Sequence, residues 1–438
     1  IYFRIILIKF ILLYFVEAIM MGLEIKDIKA EIASSKKLLR KRGIDYAAVF
    51  KEMSASIEEE INEIKSLRDE GSSVIPEIDF NSLGKEGFND EQKSTIKKRG
   101  CVIIRNTFDR SLVQEWNTEL GGYLKNVGYY ENPDKGLDKY FSSLQKGEYQ
   151  HPQIFSVYWS PPQVQARQHE NLAKVKKYLN GLWKNQFNGK TVFDPNRECT
   201  YADRTRRRQP GDNSLGIKPH VDGGSVERWL EQSGFQSVYR NLLDGKWKEH
   251  DPFDAAYRPE TTQISSPAVC SMFRTFQGWI ALSAQGPGDG TLQLIPSIRV
   301  LGWMILRALQ DDVPDGELCG AQPGRALSCD PKWHELVLDG LCTIPKMQPG
   351  DSVWWHGDVI HAVEDEHNGK ESSNVIYIGA APYCEKNAKF LKAQGERFIS
   401  GKSSPDFAAE DYEYNFEGRA RLNDLSELGK KQMGFEAW

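Results

Sequence analysis

The sequence predicts an α+β protein in which helical segments at both ends flank a central antiparallel β barrel or sandwich. Between residues 21 and 89, apolar residues recur at three-to-four spacing within a heavily charged chain, which indicates amphipathic helices. After Gly189 the pattern changes to short apolar and aromatic segments separated by Gly and Pro turns, which is typical of antiparallel sheets. From residue 385 the chain returns to helix and loop.

One large β domain is therefore expected over residues 90–384. Two long stretches inside it, near 226–260 and 300–340, are interpreted as insertions. A helical extension over residues 21–89 precedes this domain, and a helical tail over residues 385–438 follows it.

The start of the β domain carries clear boundary signals. A polar helix over residues 90–99 is predicted to end at Gly100, and a β-branched strand is predicted at Cys101–Arg105. The remaining strand candidates are short segments bounded by turn residues, namely 217–221, 269–284, 291–295, 342–344, 351–355 and 374–380.

The first twenty residues are almost wholly apolar, interrupted only by Arg4, Lys9 and Glu17. A membrane helix needs about twenty apolar residues, so an anchor is the weaker alternative here. No small-residue cleavage site of a secretory signal precedes Met21. We expect residues 1–20 to be a non-structural or read-through segment, and the protein to be cytoplasmic.

Composition argues against several classes of protein. The net charge is −5 and the chain carries no nucleic-acid-binding motif, so no nucleic-acid partner is expected. The seven cysteines include no CxxC pair, which favours a reduced intracellular protein over a disulfide scaffold or a zinc module.

The first motif with chemical content is Lys218-Pro-His220-Val-Asp222-Gly-Gly. Alternate side chains of a strand share a face, so His220 and Asp222 are predicted to point the same way. An imidazole and a carboxylate at this spacing can occupy adjacent positions on one metal ion. The HxD pattern alone is weak, because it occurs by chance in many proteins.

A second motif is a Pro349-Gly-Asp turn that leads into an apolar, tryptophan-rich strand with His361 at its far end. A third is the Gly290-Thr-Leu-Gln-Leu-Ile-Pro strand. Two histidines and one carboxylate on facing strands make the facial triad of non-haem iron enzymes, which leaves three metal positions open. Structural zinc would require four closed ligands, usually with thiolates, and none lies nearby in the sequence.

These motifs occur in the order seen in phytanoyl-CoA-hydroxylase-like oxygenases. More closely, several segments resemble the YbiU-like family of bacterial and fungal proteins, for which an oxygenase activity on an unknown substrate is suggested. The resemblance covers roughly residues 90 to 420 and is carried by FRTFQGW, QDDVPDGELCGAQPGRAL, PGDSVWWHGDVIHAVEDEHNG and NVIYIGAAPYCEKN.

The resemblance implies a double-stranded β-helix, a cupin-like jelly roll, with Fe(II) held by His220, Asp222 and His361 as the catalytic centre. It also implies 2-oxoglutarate and O₂ as co-substrates and hydroxylation of a small molecule. Glu364 or Asp365, just after the distal histidine, could orient its imidazole.

One departure from the superfamily concerns the cation that pairs with the distal carboxylate of 2-oxoglutarate. It usually begins the strand after the distal histidine, where this chain has Ser372-Ser-Asn. Three candidates remain: Arg274 among apolar neighbours, where a charge is costly unless paired, then Lys218, and Lys370 in a polar loop.

Two alternatives stay open at this point. The absent strand cation favours a non-redox metal enzyme, such as an isomerase or hydrolase, and a catalytically silent binding barrel is the other. The basic cluster Arg204-Thr-Arg-Arg-Arg208 suggests an anionic substrate, but a solvated loop beside Gln209-Pro-Gly is the favoured interpretation.

Overall fold

The computed structural model describes residues 26–131, 152–264 and 270–438. The apolar segment 1–20, expected to be non-structural, lies outside these ranges. Within them, no helix is both long and apolar enough to cross a membrane. Helices and several sheets occur together, so the predicted α+β class is confirmed.

Helix boundaries follow local capping signals. At the start of α3, Asn89 and Gln92 form a reciprocal capping box, and Gly100 ends the helix at φ 68°, as predicted for this boundary. The described helices are α1 (Ile28–Arg40), α2 (Tyr46–Asp69), α3 (Asp90–Arg99), α4 (Arg110–Asn126), α5 (Pro161–Arg167), α6 (Glu170–Asn180), α7 (Glu227–Leu230), α8 (Phe235–Val238), α9 (Arg240–Leu243), α10 (Val300–Arg307), α11 (Pro331–Leu338), α12 (Glu385–Ser400) and α13 (Glu427–Gln432).

The predicted strand Cys101–Arg105 is present with the same bounds. The candidate over residues 217–221 shortens to His220–Val221, whereas that over 374–380 lengthens to Ser373–Tyr383. The described strands are β1 (Glu77–Asp79), β2 (Cys101–Arg105), β3 (Ile154–Phe155), β4 (Gln186–Phe187), β5 (Lys190–Thr191), β6 (Asp194–Cys199), β7 (Thr205–Arg208), β8 (His220–Val221), β9 (Phe276–Ala281), β10 (Leu292–Leu294), β11 (Leu327–Ser328), β12 (Cys342–Thr343), β13 (Ser352–His356), β14 (His361–Val363) and β15 (Ser373–Tyr383).

The larger sheet has the strand order β1-β2-β13-β9-β15-β7-β3, and β6 also pairs with β15. Its centre is the antiparallel trio β13, β9 and β15, and β9 is buried along its whole length. A Cβ at Gly278 would lie 2.5 Å from the carbonyl oxygen of Val353, so a glycine at this position of β9 permits the close approach of β13.

The smaller sheet has the antiparallel order β11-β8-β14-β10-β12. Its residues Leu292 and Leu294 belong to the same buried apolar cluster as Trp279 and Ile280 of the larger sheet. The two sheets therefore share one core. Truncating a fully buried leucine such as Leu294 in that core typically costs about 2–5 kcal/mol.

A second apolar core joins the amino-terminal helices to the two predicted insertions. α2 packs against α10 and α11, and α1 packs against α7. The indole Nε1 of Trp303 donates to Ser54 at 2.9 Å, and Arg299 forms an ion pair with Glu60 at 2.7 Å. The insertions thus consist mainly of helices that pack beside the smaller sheet, and the second insertion also supplies the edge strand β11 of that sheet.

The observed strand pairings do not by themselves establish the predicted jelly roll. Within the described ranges, no hydrogen-bonded strand pair connects the two large sheets, and they do not close into a barrel. The double-stranded β-helix and the domain boundaries at residues 89 and 384 stay predictions.

Candidate metal centre

His220 and His361 are brought together by strand pairing. β8 lies between β11 and β14, and His220 is the register partner of His361. Their ring centroids are 4.3 Å apart. Asp222 follows directly after β8, so the three predicted ligands form one group, here called the His–Asp–His cluster.

The spacing within the His–Asp–His cluster suits one metal ion. His220 Nε2 lies 3.3 Å from Asp222 Oδ1, and His361 Nε2 lies 3.6 Å from Asp222 Oδ2. One ligand atom from each residue lies within 4.8 Å of the others. Adjacent ligands of an octahedral ion, each about 2.1 Å from the metal, are separated by about 3 Å. Small rotations of these side chains would therefore suffice to coordinate an ion.

Backbone carbonyls set the tautomer of both histidines. The carbonyl oxygen of Lys218 is 2.8 Å from His220 Nδ1, and that of Val359 is 3.4 Å from His361 Nδ1. Because a carbonyl oxygen only accepts, each Nδ1 carries the proton and each Nε2 keeps its lone pair for a metal.

The expectation that Glu364 or Asp365 orients His361 is wrong. The Glu364 carboxylate instead accepts from the backbone amides of Gly288 and Thr291, and that of Asp365 contacts Ser214. Neither carboxylate is therefore the hydrogen-bond partner of His361, whose Nδ1 faces the carbonyl oxygen of Val359.

The electrostatics of the cluster favour metal-binding protonation states. Burial raises the pKa of Asp222, but His361, His220 and Arg274 outweigh it and hold this pKa well below its usual value. Burial, followed by the neighbouring His220, lowers the pKa of His361 to about 4. Around neutral pH the cluster presents a carboxylate and a neutral His361 imidazole, as metal coordination requires.

A cavity of about 550 Å³ lies between the two sheets and opens onto the His–Asp–His cluster. Leu292 and Val363 line it from the smaller sheet, and Trp279, Trp355 and Tyr377 from the larger one. This volume suits a small organic molecule together with a co-substrate.

Arg274 lines this cavity beside the His–Asp–His cluster and acts electrostatically on Asp222. Its guanidinium lies 5.0 Å from the centre of the Tyr201 ring, and its Cδ would be 3.1 Å from a Cβ built at Gly379. No carboxylate of the described chain forms an ion pair with Arg274. Its charge is therefore available to an anion in the cavity.

The two lysine candidates are placed differently. Lys218 also lines the cavity, although its backbone carbonyl already has the separate role of holding His220. Lys370 is exposed and is not part of the cavity wall. Lys370 is therefore not positioned to bind 2-oxoglutarate in this cavity.

The interpretation of residues 204–208 as a solvated loop is wrong. Thr205–Arg208 is strand β7, paired with β15, and the side chains of Arg204, Arg206 and Arg208 line the cavity. Alternate arginines at two-residue spacing were the available signal, because they share one face of a strand. The high charge of the segment instead suggested a loop.

The chain is similar to known proteins over nearly its whole length. Residues 26–435 match the Gig2-like family. The chain is 39% identical over 412 residues to the uncharacterized protein YbiU of Escherichia coli K12, and the alignment covers 94% of this chain and 97% of that protein.

Solved structures show the same similarity. A candidate oxidoreductase from Salmonella typhimurium LT2 superposes with a TM-score of 0.88 at 39% identity, covering 94% of this chain and 99% of that one. The product of GlcNAc inducible gene 2 from Candida albicans superposes with a TM-score of 0.80 at 26% identity, covering 95% and 91%. The likeness to phytanoyl-CoA hydroxylases stays a prediction.

Proposed function

The chain belongs to the Gig2-like family, in agreement with its YbiU-like motifs, and we propose that it is a non-haem Fe(II)- and 2-oxoglutarate-dependent oxygenase. Its substrate would be a small organic molecule. The observation that carries the proposal is the His–Asp–His cluster, which presents three converging ligand atoms at the wall of a cavity. The oxidoreductase name given to the Salmonella relative agrees with this activity.

The donor set fits Fe(II). Two imidazole nitrogens and one carboxylate oxygen make up the donor set of non-haem iron oxygenases, and the three residues that would hold Fe(II) line the cavity. With 2-oxoglutarate and O₂, bound Fe(II) supplies the oxidation in which one oxygen atom enters succinate, CO₂ is released, and the other oxygen atom is inserted into a substrate C–H bond.

Arg274 is the proposed partner of the distal carboxylate of 2-oxoglutarate. It lies on the cavity wall near Asp222 and has no ion-pair partner in the described chain. A guanidinium can bind a carboxylate through two parallel hydrogen bonds, which fixes orientation as well as charge. Lys218 is the second candidate.

The remaining contribution of the protein is to exclude water and to hold the ligands. Trp355 lies against His361 with the ring centroids 5.2 Å apart, and Trp279 supplies more apolar surface to the wall. Apolar walls strengthen the interactions of the charged groups that remain, because they lower the local dielectric.

The non-redox alternative was favoured by the lack of a cation after His361, and the intact His–Asp–His cluster argues against a silent barrel. Arg274 on the cavity wall, two residues before β9, offers such a cation from another part of the chain, which weakens the argument for non-redox chemistry.

Succinate formation tests the proposal. Enzymes of this class turn over 2-oxoglutarate slowly without their prime substrate, so Fe(II), 2-oxoglutarate and air should yield succinate with the wild-type protein. Asp222→Ala should yield only background, whereas Asp365→Ala, a nearby exposed acid, should behave as wild type. Succinate at the Asp222→Ala level from wild-type protein would contradict the oxygenase proposal.

A further inference from the structure

The arginines of β7 form a second feature of the cavity, distinct from the His–Asp–His cluster. Arg206 is the register partner of Val375 on β15, and Val375 also lines the cavity. Arg207 points to the other side of the sheet, where its guanidinium donates to the carbonyl oxygen of Asn117 at 3.3 Å. The alternation of the strand thus directs Arg206 and Arg208 to the cavity, and Arg204, just before the strand, also lines it.

Two of these three arginines are engaged by the protein. Arg204 is paired with Asp203 at 3.2 Å. Arg208 donates to the carbonyl oxygens of residues 290, 364, 212 and 365 at 2.6–3.0 Å, and so holds the loops together.

Arg206 is different. It is only 9% exposed, and within the described chain its guanidinium makes one hydrogen bond, to Gln153 Oε1 at 3.3 Å. Within the described chain, its buried Nε has no hydrogen-bond partner and no carboxylate forms an ion pair with its guanidinium. A buried guanidinium without a counter-ion is costly, so an anion bound beside it would be strongly favoured.

Charge balance leads to the same conclusion. Among the described residues that line the cavity, the acidic side chains are Asp203 and Asp222, against five basic ones in addition to Arg325, which already has an interaction partner. Bound Fe(II) adds two positive charges and 2-oxoglutarate removes two, so the co-substrate leaves the excess unchanged. These five basic side chains are Arg204, Arg206, Arg208, Lys218 and Arg274.

Arg206 and Arg274 mark two separate positions. Arg206 pairs with Val375, whereas Arg274 lies against Gly379, four residues further along β15. At about 3.3 Å per residue these positions are about 13 Å apart along the strand. Backbone positions this far apart favour two separate anion positions over one that a single small diacid would occupy.

We propose that the prime substrate is an organic anion whose carboxylate or phosphate group is bound by Arg206, at a position distinct from that of 2-oxoglutarate. This inference rests on the proposed function for the identity of the cavity as the active site. The substrate would place its anionic end at β7 and its oxidised carbon near the His–Asp–His cluster.

A matched series of probes tests the proposal by isothermal titration calorimetry on the metal-free protein. The probes are cyclohexanecarboxylate, cyclohexyl phosphate and the neutral cyclohexanol. At least one anion should bind more tightly than the alcohol, and the preferred anion identifies the head group. Arg206→Gln should weaken that binding by about tenfold to a hundredfold, which is typical of losing charge-assisted hydrogen bonds.

Three variants control for other causes. Arg207→Gln removes the same charge from the opposite face of β7, and Arg274→Met removes the co-substrate candidate; both should keep probe affinity within about threefold of wild type. Arg206→Lys, which keeps the charge but loses the planar donor pair, should show a smaller loss than Arg206→Gln. If Arg206→Gln fails to fold, the probe affinity of Arg206→Lys is compared with that of wild type in its place.

Equal affinities for the anions and the alcohol would overturn the proposal, and so would equal losses in Arg206→Gln and Arg207→Gln. A loss in Arg274→Met as large as in Arg206→Gln would also overturn it, because the probe would then occupy the co-substrate position. The titration needs neither iron nor 2-oxoglutarate. Its failure leaves the oxygenase proposal standing, and a failure of succinate formation leaves the anion site standing.

Discussion

His220 and His361 are direct register partners on adjacent antiparallel strands, and their rings are 4.3 Å apart between centroids. Both Nδ1 atoms face backbone carbonyl oxygens, so both Nε2 atoms point to Asp222. Two of the three proposed ligands are therefore positioned by sheet pairing rather than by flexible loops. A shift of one residue in the pairing would turn one of them away from the cavity.

Asp222→Ala is expected to abolish Fe(II) binding without unfolding the protein. Within the described chain, the hydrogen-bonding and ionic contacts of the Asp222 carboxylate are with His220 and His361, so its removal breaks no contact with the backbone. We expect a change in the free energy of unfolding below about 1 kcal/mol. Metal content after reconstitution and a urea titration measure the two effects. Asp365→Ala is the matched control, and Fe(II) retained by Asp222→Ala would contradict the ligand assignment.

Arg274→Met is expected to raise the apparent KM for 2-oxoglutarate by about a hundredfold or more, because the distal carboxylate would be left buried without a partner. Iron affinity should be nearly unchanged. Steady-state succinate formation at varied 2-oxoglutarate gives this KM. Lys370→Met removes an exposed lysine outside the cavity and should leave it unaltered. An unchanged KM in Arg274→Met would transfer the role to Lys218.

Gly379→Ala should impair 2-oxoglutarate binding indirectly. The added methyl group would lie 3.1 Å from Cδ of Arg274, so the arginine side chain must shift. We expect the apparent KM for 2-oxoglutarate to rise by about tenfold, since small displacements of positioning groups have effects of this order or larger. Iron binding should not change. A wild-type KM in this variant would mean that the position of the Arg274 side chain is unimportant.

Acid should destabilise the protein through His356. This buried imidazole accepts from the backbone amide of Asp358 at Nδ1, at 2.9 Å, and its Nε2 lies 3.1 Å from the carbonyl oxygen of Pro252. Burial is the main cause that lowers its pKa, to about 3. The unfolded chain takes up a proton near pH 6.5 and the folded chain does not, so stability falls as the pH decreases from about 6.5 towards 3.

The contribution of one such histidine is at most about 1.4 kcal/mol per pH unit. Urea unfolding of the metal-free protein at several pH values measures it. His356→Gln should reduce the slope of unfolding free energy against pH by about that amount. The same slope in wild type and variant would show that His356 is not responsible.

Local signals in the sequence explain what could be predicted. Strand alternation placed His220 and Asp222 on one face, and the glycine at position 100 marked both a helix end and the start of Cys101–Arg105. Such features depend only on nearby residues, so they can be recognised without tertiary information.

The missed features depend on distant parts of the chain. The role of Val359 beside His361 is that of a backbone carbonyl, which any residue type would supply. β7 pairs with β15, and its arginines line the cavity between the two sheets, so their burial depends on distant segments of the chain. Nothing within residues 204–208 indicates this burial. Likewise, α2 packs on α10, and the two helices are more than two hundred residues apart in the sequence. Sequence periodicity predicts each helix but not the contact between them.

Anaerobic titration with Fe(II) and 2-oxoglutarate tests the central claim most directly. Chelation of the metal by the 2-oxo acid produces a weak visible charge-transfer band, which reports the metal site and the co-substrate together and needs no substrate. The proposal predicts this band in wild-type protein, its absence in Asp222→Ala, and its appearance in Arg274→Met only at much higher 2-oxoglutarate concentration. A wild-type protein that binds Fe(II) but shows no band at saturating 2-oxoglutarate would contradict the proposal and favour non-redox metal chemistry.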